Sequence, residues 1–243
     1  MKVREATLSG RARPLWVAAE GAVTLGLVLL LFVAHQLWWT NRQAQEGAAR
    51  EVAALERAWA EEARPERAWA VRAEGSDGGD GGGKGGAGSV GSGVVRAYAV
   101  LVIPRLRLRA PVVEGVGRAE VLDKGFVGHY PGTALPGRPG NLALAGHRTT
   151  HGEPFRHLDR LDTGDEVRVE TRDAVHTYVV DSTLPQTAPG DGGVLRPVPR
   201  SDVRPSYGYR EPGHYLTLTT CTPAYTSTYR LVVWGKLRSV RLR

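Results

Sequence analysis

The sequence predicts an all-β barrel or sandwich, preceded by one apolar helix. Three observations carry that reading: an apolar run near the N-terminus, a glycine-rich stretch at 75–93, and beyond it many short β-branched segments separated by turns. At 243 residues the chain can hold one ordinary domain and its accessory segments.

Residues 15–39 read LWVAAEGAVTLGLVLLLFVAHQLWW, and the unbroken apolar and small core Gly21–Ala34 is 14 residues long. Alone that is short for a bilayer span, which needs about 20 residues. The flanks extend it, because Glu20, His35 and Gln36 lie near the ends, where polar atoms can reach the interface. Trp16, Trp38 and Trp39 bracket the run as an aromatic belt would. A cleaved signal peptide has an apolar core of similar length, but no A-x-A-like site closely follows the run. A transmembrane helix over 15–39 is the expectation. Lys2, Arg4, Arg11 and Arg13 precede it, which predicts a cytoplasmic N-terminus over 1–14 and an outer C-terminal bulk.

Residues 40–74 are rich in Ala, Glu and Arg, which favour helix, and Val52, Leu55 and Trp59 recur at helical spacing. The stripe covers too few heptads for a coiled coil, so a solvated helical stalk is expected, broken or kinked at Pro65. Residues 75–93 hold 11 Gly among 19 positions and form a flexible linker. No GxxxxGK[ST] motif accompanies them, which removes a phosphate loop from consideration.

Residues 94–243 are the one globular domain. Val94–Ile103 is apolar and β-branched, and Pro104 stops it. Leu106, Leu108 and Ala110 alternate with Arg105, Arg107 and Arg109, a half-buried strand. Asn141–Ala145 forms a short strand. Asp165–Thr171 and Val175–Leu184 read as a hairpin, and His214–Thr220 and Tyr229–Leu237 as the last two strands. Helix is expected only at Ala119–Lys124 and Pro154–Leu161.

The net charge of +7 lies wholly in this domain: residues 1–93 carry 11 basic and 11 acidic side chains, residues 94–243 carry 21 and 14. The basic residues are scattered, without a Lys/Arg block or interleaved aromatics, so nucleic acid is not the expected partner. No metal cluster, calcium motif or cofactor signature is evident, and none is expected. Cys221 is the single cysteine, which excludes an intrachain disulfide. A lone thiol in an exported domain calls for a reason.

Cys221 closes the strand YLTLTT, where a thiol can face a cleft; taken alone, a buried structural cysteine explains it as well. His147 ends the strand NLALAG, although His129, His151, His157 and His176 fit a surface role equally. Arg230 begins the strand after Cys221. If those two strands pair, a guanidinium meets the thiol at the mouth of one hairpin, where it could hold a thiolate or a developing oxyanion. An ordinary edge-strand arginine is the plain alternative.

TLTTC (217–221), Arg230 nine residues on, and AGHR (145–148) upstream together resemble the sortase family. GNLALAGHRTTHGEPF (140–155) is similar to the histidine-bearing segment of that family. GHYPGTALPG (128–137), CTPAYTSTYR (221–230) and VVWGKL (232–237) look most like class E, the actinobacterial housekeeping type.

The resemblance implies a closed eight-stranded β-barrel over 94–243. It implies attack by Cys221 on the Thr–Gly bond of a C-terminal sorting signal, with His147 as general acid and base and Arg230 holding the carbonyl or oxyanion. It implies LAxTG-type signals on surface proteins, a peptidoglycan-precursor amine as acceptor, and Thr220, Tyr130 and Tyr225 lining the substrate cleft. His129 then becomes structural or lines the cleft. The Cys-to-Arg spacing and the CTP turn also resemble the pilin-building class C, whose lid and second span are not expected here. A non-catalytic, membrane-tethered wall-binding module would account for the anchor and basic barrel but not for the three residues together. An L,D-transpeptidase would need an SxGCxR-like run, which is absent.

Overall fold

A computed structural model describes residues 12–62 and 96–243. The expected break at Pro65 and the glycine-rich linker at 75–93 lie outside the described residues. Among the described residues, 12–40 belong to one compact unit and 41–62 with 96–243 to another.

One helix, α1, runs Ala12–Glu62. It is long and apolar enough to cross a membrane, and Leu25, Leu27 to Val33, Trp38 and Trp39 are exposed along it. Its second half belongs to the unit that contains the barrel.

The barrel is all-β. Its strands are β1 Ala97–Ile103, β2 Leu108–Glu114, β3 Val127–His129, β4 Gly140–Ala145, β5 Glu166–Thr171, β6 Ala174–Thr187, β7 His214–Thr222 and β8 Tyr229–Leu242. They close in the order β1-β2-β3-β4-β7-β8-β6-β5. The β2/β3 and β4/β7 pairs are parallel and the others antiparallel. Alternation decides what fills the interior. Leu101, Ile103, Val112, Leu142, Leu144, Val167, Val169, Leu216, Leu218, Leu231 and Val233 point inward, and Phe155, Leu158 and Leu161 join the same core.

Three local expectations are corrected. Strand β3 is added, a three-residue element too short to announce itself by alternation. The expected helices shrink to 3-10 turns at Leu122–Lys124 and Leu158–Arg160. Strand β7 continues through Cys221 to Thr222, so the thiol sits inside the ladder rather than beyond its end.

The 41–62 part of α1 is packed, not solvated. Ala44, Ala48 and Val52 are buried, and Ala48 joins Ala97, Val113, Val121 and Phe126 in a second apolar cluster. Polar ties run beside it: the Ala97 N–H donates to Glu51, and Arg109 pairs with Glu56. Arg172 pairs with Glu62 at 2.9 Å, and Arg243 lies over the Trp59 ring. The stripe Val52, Leu55, Trp59 that hinted at helix thus marks the face that covers the barrel.

Candidate active site

Leu216 and Leu218 face the barrel core, so Cys221, an odd number of positions beyond Leu218, projects from the outer face. Its register partner across the β7/β8 pair is Arg230. Directly opposed residues of an antiparallel pair share a face, so the guanidinium stem and the thiol leave the sheet together. Arg230 Nη1 donates to the carbonyls of Ser227 and Tyr229, both at 3.0 Å. Those bonds fix the head of the side chain, and its Nε and Nη2 protons form the rest of the donor fork.

His147 arrives from β4. Strands β4 and β7 run parallel with Ala145 beside Thr219, and His147 lies two residues beyond Ala145 as Cys221 lies two beyond Thr219. The loop that carries His147 is pinned on three sides. Thr220 Oγ1 donates to the Gly146 carbonyl at 2.8 Å, and the Phe155 N–H donates to the His147 carbonyl at 3.0 Å. Gly146 must be glycine, because a Cβ there would meet the buried Phe155 ring at 2.9 Å. Arg148 ties the loop to β7, with Nη1 on Thr222 Oγ1 at 2.9 Å and Nη2 3.1 Å from Asp159.

Cys221, His147 and Arg230 line one open cleft of about 610 Å³, together with Thr220, Tyr130 and Tyr225. All six residues singled out in the sequence therefore converge. Arg118, Arg148 and Arg230 are among the lining residues, and among the described residues no carboxylate lines the cleft. The other predicted positions differ in how they are held. The Thr220 side chain is buried and its hydroxyl is engaged by Gly146, so it ties the cleft floor together. The Tyr130 hydroxyl lies 3.2 Å from Thr219 Oγ1 at the cleft wall. Tyr225 is 78 % exposed, on the β7/β8 loop. His129 is buried at 1 % exposure, bonded to the Tyr98 hydroxyl and to Glu114, and takes a structural place outside the cleft.

Asp123, which sequence reasoning passed over, and His151, which it left to a surface role, join the site. Asp123 Oδ1 lies 2.7 Å from His147 Nε2, and the His151 ring lies tilted at 32° to that of His147 with centroids 5.5 Å apart. Asp123 sits in the 3-10 turn Leu122–Lys124, between Val121 and Phe126, both buried against α1. Asp123, His147 and His151 each bring one potential metal-ligand atom within 4.8 Å of the others, a grouping not evident in the sequence. A gap of 24 positions between Asp123 and His147 hid this in the sequence.

A sortase-domain family model matches residues 101–238 of the chain. The chain belongs to the sortase family. Sortases are cysteine transpeptidases. This sortase is 42 % identical over 226 residues to sortase SrtE1 of Streptomyces coelicolor, a match spanning 91 % of this chain and 56 % of that relative. Sortase SrtE2 of the same organism is 35 % identical over 240 residues, 94 % of this chain and 86 % of the relative. Among solved structures, sortase E1 from S. coelicolor with a tripeptide in its active site superposes with a TM-score of 0.57 at 47 % identity. That alignment covers 60 % of this chain and 91 % of the other. Sortase E from Streptomyces avermitilis gives a TM-score of 0.52 at 43 % identity, covering 60 % and 90 %. These likenesses place the chain with the class E sortases.

Proposed function

We propose that the chain is a membrane-anchored class E transpeptidase that joins surface proteins bearing LAxTG-type sorting signals to a peptidoglycan-precursor amine. The observation that carries this reading is the convergence of Cys221 from β7, Arg230 from β8 and His147 from the loop after β4 on one cleft.

The Cys221 thiolate attacks the carbonyl carbon of the Thr–Gly bond. Arg230, its cross-strand partner, donates to the carbonyl oxygen as that oxygen gains charge. His147 gives a proton to the departing glycine amine and leaves a thioacyl-enzyme. An incoming amine enters from the cleft, His147 takes its proton, and the new amide forms as the thiol departs. Asp123 orients the imidazole through the 2.7 Å contact at Nε2, leaving Nδ1 for the reacting groups.

Specificity at the second position of the signal rests on Tyr130. With its proton given to Thr219, the Tyr130 hydroxyl keeps lone pairs for the backbone N–H of an alanine. Proline has no such N–H. A buried acceptor left unpaired costs about 1–3 kcal/mol. The apolar stretch of α1 would cross the membrane, with residues 1–14 inside and the barrel outside.

The test incubates the protein with LAxTG and LPxTG peptides and a glycine nucleophile, with products read by mass. Ligated product from LAxTG, at a rate about tenfold or more above LPxTG, is the expected result. A gap that narrows in Tyr130→Phe supports the tyrosine mechanism. Equal rates on both peptides move the chain toward the pilin-building class, and no product from either refutes the transpeptidase reading.

A further inference from the structure

Behind the imidazole of His147 lies a second group of potential ligands. Asp123 Oδ1 is 2.7 Å from His147 Nε2 and 3.7 Å from His151 Nδ1. His151 Nδ1 is buried and has no hydrogen-bond partner among the described residues. His151, Gly152 and Glu153 all have positive φ, at 50°, 85° and 51°. Left-handed backbone is uncommon for residues with a Cβ and tends to persist where the surroundings impose it. Here α1 imposes it: Asn41 Oδ1 accepts from the Gly152 N–H, and Gln45 Nε2 donates to the Gly152 carbonyl at 3.3 Å. Gly125, next to the Asp123 turn, packs so closely on Ala44 that a Cβ would meet its carbonyl oxygen at 3.0 Å. The helix therefore holds both ligand-bearing loops in place.

We propose that Asp123, His147 and His151 form a binding site for a divalent transition metal of the zinc type, and that its occupation silences the transpeptidase by capturing His147. The inhibitory half rests on the function proposed above; the binding half does not. Two imidazole nitrogens and one carboxylate oxygen suit zinc and its neighbours, whereas magnesium and calcium prefer all-oxygen sets. Zinc–ligand bonds of 2.0–2.2 Å in a tetrahedron place ligand atoms about 3.4 Å apart. The 3.7 Å separation is close to that, and the 2.7 Å separation must open by a fraction of an ångström. A fourth position remains for water. Binding forms a coordinate bond to the Nε2 lone pair, so the proton shared there with Asp123 moves to Nδ1 or to solvent; the metal keeps its oxidation state. The metal-bound ring can neither be held by Asp123 in its catalytic orientation nor cycle its proton.

The test titrates Zn²⁺ into the full chain in detergent, reading binding by calorimetry and transpeptidation in parallel. One Zn²⁺ per chain is expected, with activity lost as the site fills and regained on adding EDTA, and no comparable binding of Mg²⁺ or Ca²⁺. His151→Ala should weaken Zn²⁺ binding by more than about tenfold, at least the loss that removing an outer-shell partner causes. Asp123→Asn carries the same expectation if His151→Ala fails to fold, as judged by its melting curve, and Cys221→Ser should bind as the wild type does. Binding that vanishes in Cys221→Ser and survives in His151→Ala puts the metal on the thiol and overturns the site. A wild-type chain that transpeptidates but binds no Zn²⁺ overturns the site and leaves the function standing. Zn²⁺ bound at these ligands by a chain that ligates no peptide upholds the site and refutes the function.

Discussion

Asp123 Oδ1 sits 2.7 Å from Nε2 of His147, so the imidazole on the cleft wall is held from behind by a carboxylate. This contact depends on packing far from the chemistry. Val121 and Phe126 flank the Asp123 turn and are buried against the second half of α1. Sequence, helix packing and ring orientation are thereby linked in one chain of contacts.

Asp123 is predicted to act as a positioning residue. Asp123→Ala should lower kcat by about 10²-fold, the scale of loss that a misplaced catalytic group produces, with little change in KM. Asp123→Asn, which keeps a hydrogen-bonding oxygen in the same place, should retain more activity than Asp123→Ala. Steady-state kinetics and melting curves of the two variants check both. Equal losses of activity that follow equal losses of stability would reduce Asp123 to a structural role.

Arg230 distinguishes charge from geometry. Its Nη1 is fixed on two carbonyls, and the residue is the cross-strand register partner of Cys221. Arg230→Lys keeps the charge and loses that fork. A loss in kcat of about 10²-fold or more is expected, the scale reported for removing one oxyanion donor. A mild effect in Arg230→Lys with a severe one in Arg230→Ala would assign a purely electrostatic role.

The packed helix carries a stability prediction. Val52 is 6 % exposed. Val52→Ala removes two buried methyl groups and should destabilise the protein by about 1–2 kcal/mol, at roughly 0.8 kcal/mol per group. A chain starting at Arg96 loses the whole cover over Ala97, Val113, Val121 and Phe126 and should melt lower still. Thermal melts of the two variants against the parent measure this, and unchanged melting temperatures would mean that the helix adds nothing to the barrel.

Asp191 predicts an acid-sensitive contribution. Burial works to raise its pKa but is outweighed by hydrogen bonds from Ser201, Thr187 and the backbone N–H groups of Asp202 and Val203, so the carboxyl sits below its ordinary value. With the folded pKa below the unfolded one, the unfolded chain takes up the proton first. The stabilisation is complete above the unfolded pKa and is lost as pH falls through the folded one. Asp191→Asn should cost about 1–3 kcal/mol at pH 7 and progressively less in acid. Urea unfolding of parent and variant at pH 7 and below pH 4 should show the gap closing.

Much of this site could be read from residue order because its parts sit at strand ends that alternation reveals. Leu216, Thr217, Leu218 and Thr219 announce β7, and the eight positions between Cys221 and Arg230 fit one hairpin. His147 could be singled out only through family resemblance, because its proximity to Cys221 depends on β4 pairing in parallel with β7, a long-range contact that no local pattern encodes. Asp123 was not singled out, and His151 was left to a surface role, for a related reason. Their orientation follows from a short 3-10 turn and a run of left-handed residues, both imposed by tertiary packing against α1. The helix face was misjudged because Ala44 and Ala48 carry little hydrophobic signal, although small side chains allow the close approach seen at Gly125.

The central claim is that Cys221 carries the acyl group. The direct measurement is the intact mass of the full chain after incubation with excess LAxTG peptide in the absence of an amine acceptor, followed by acid quench and peptide mapping. A mass increase equal to the peptide up to its threonine, mapped to Cys221, discharged by added glycine nucleophile and absent in Cys221→Ala, is the predicted result. Ligated product formed by Cys221→Ala, or an adduct mapped to any other residue, would contradict it.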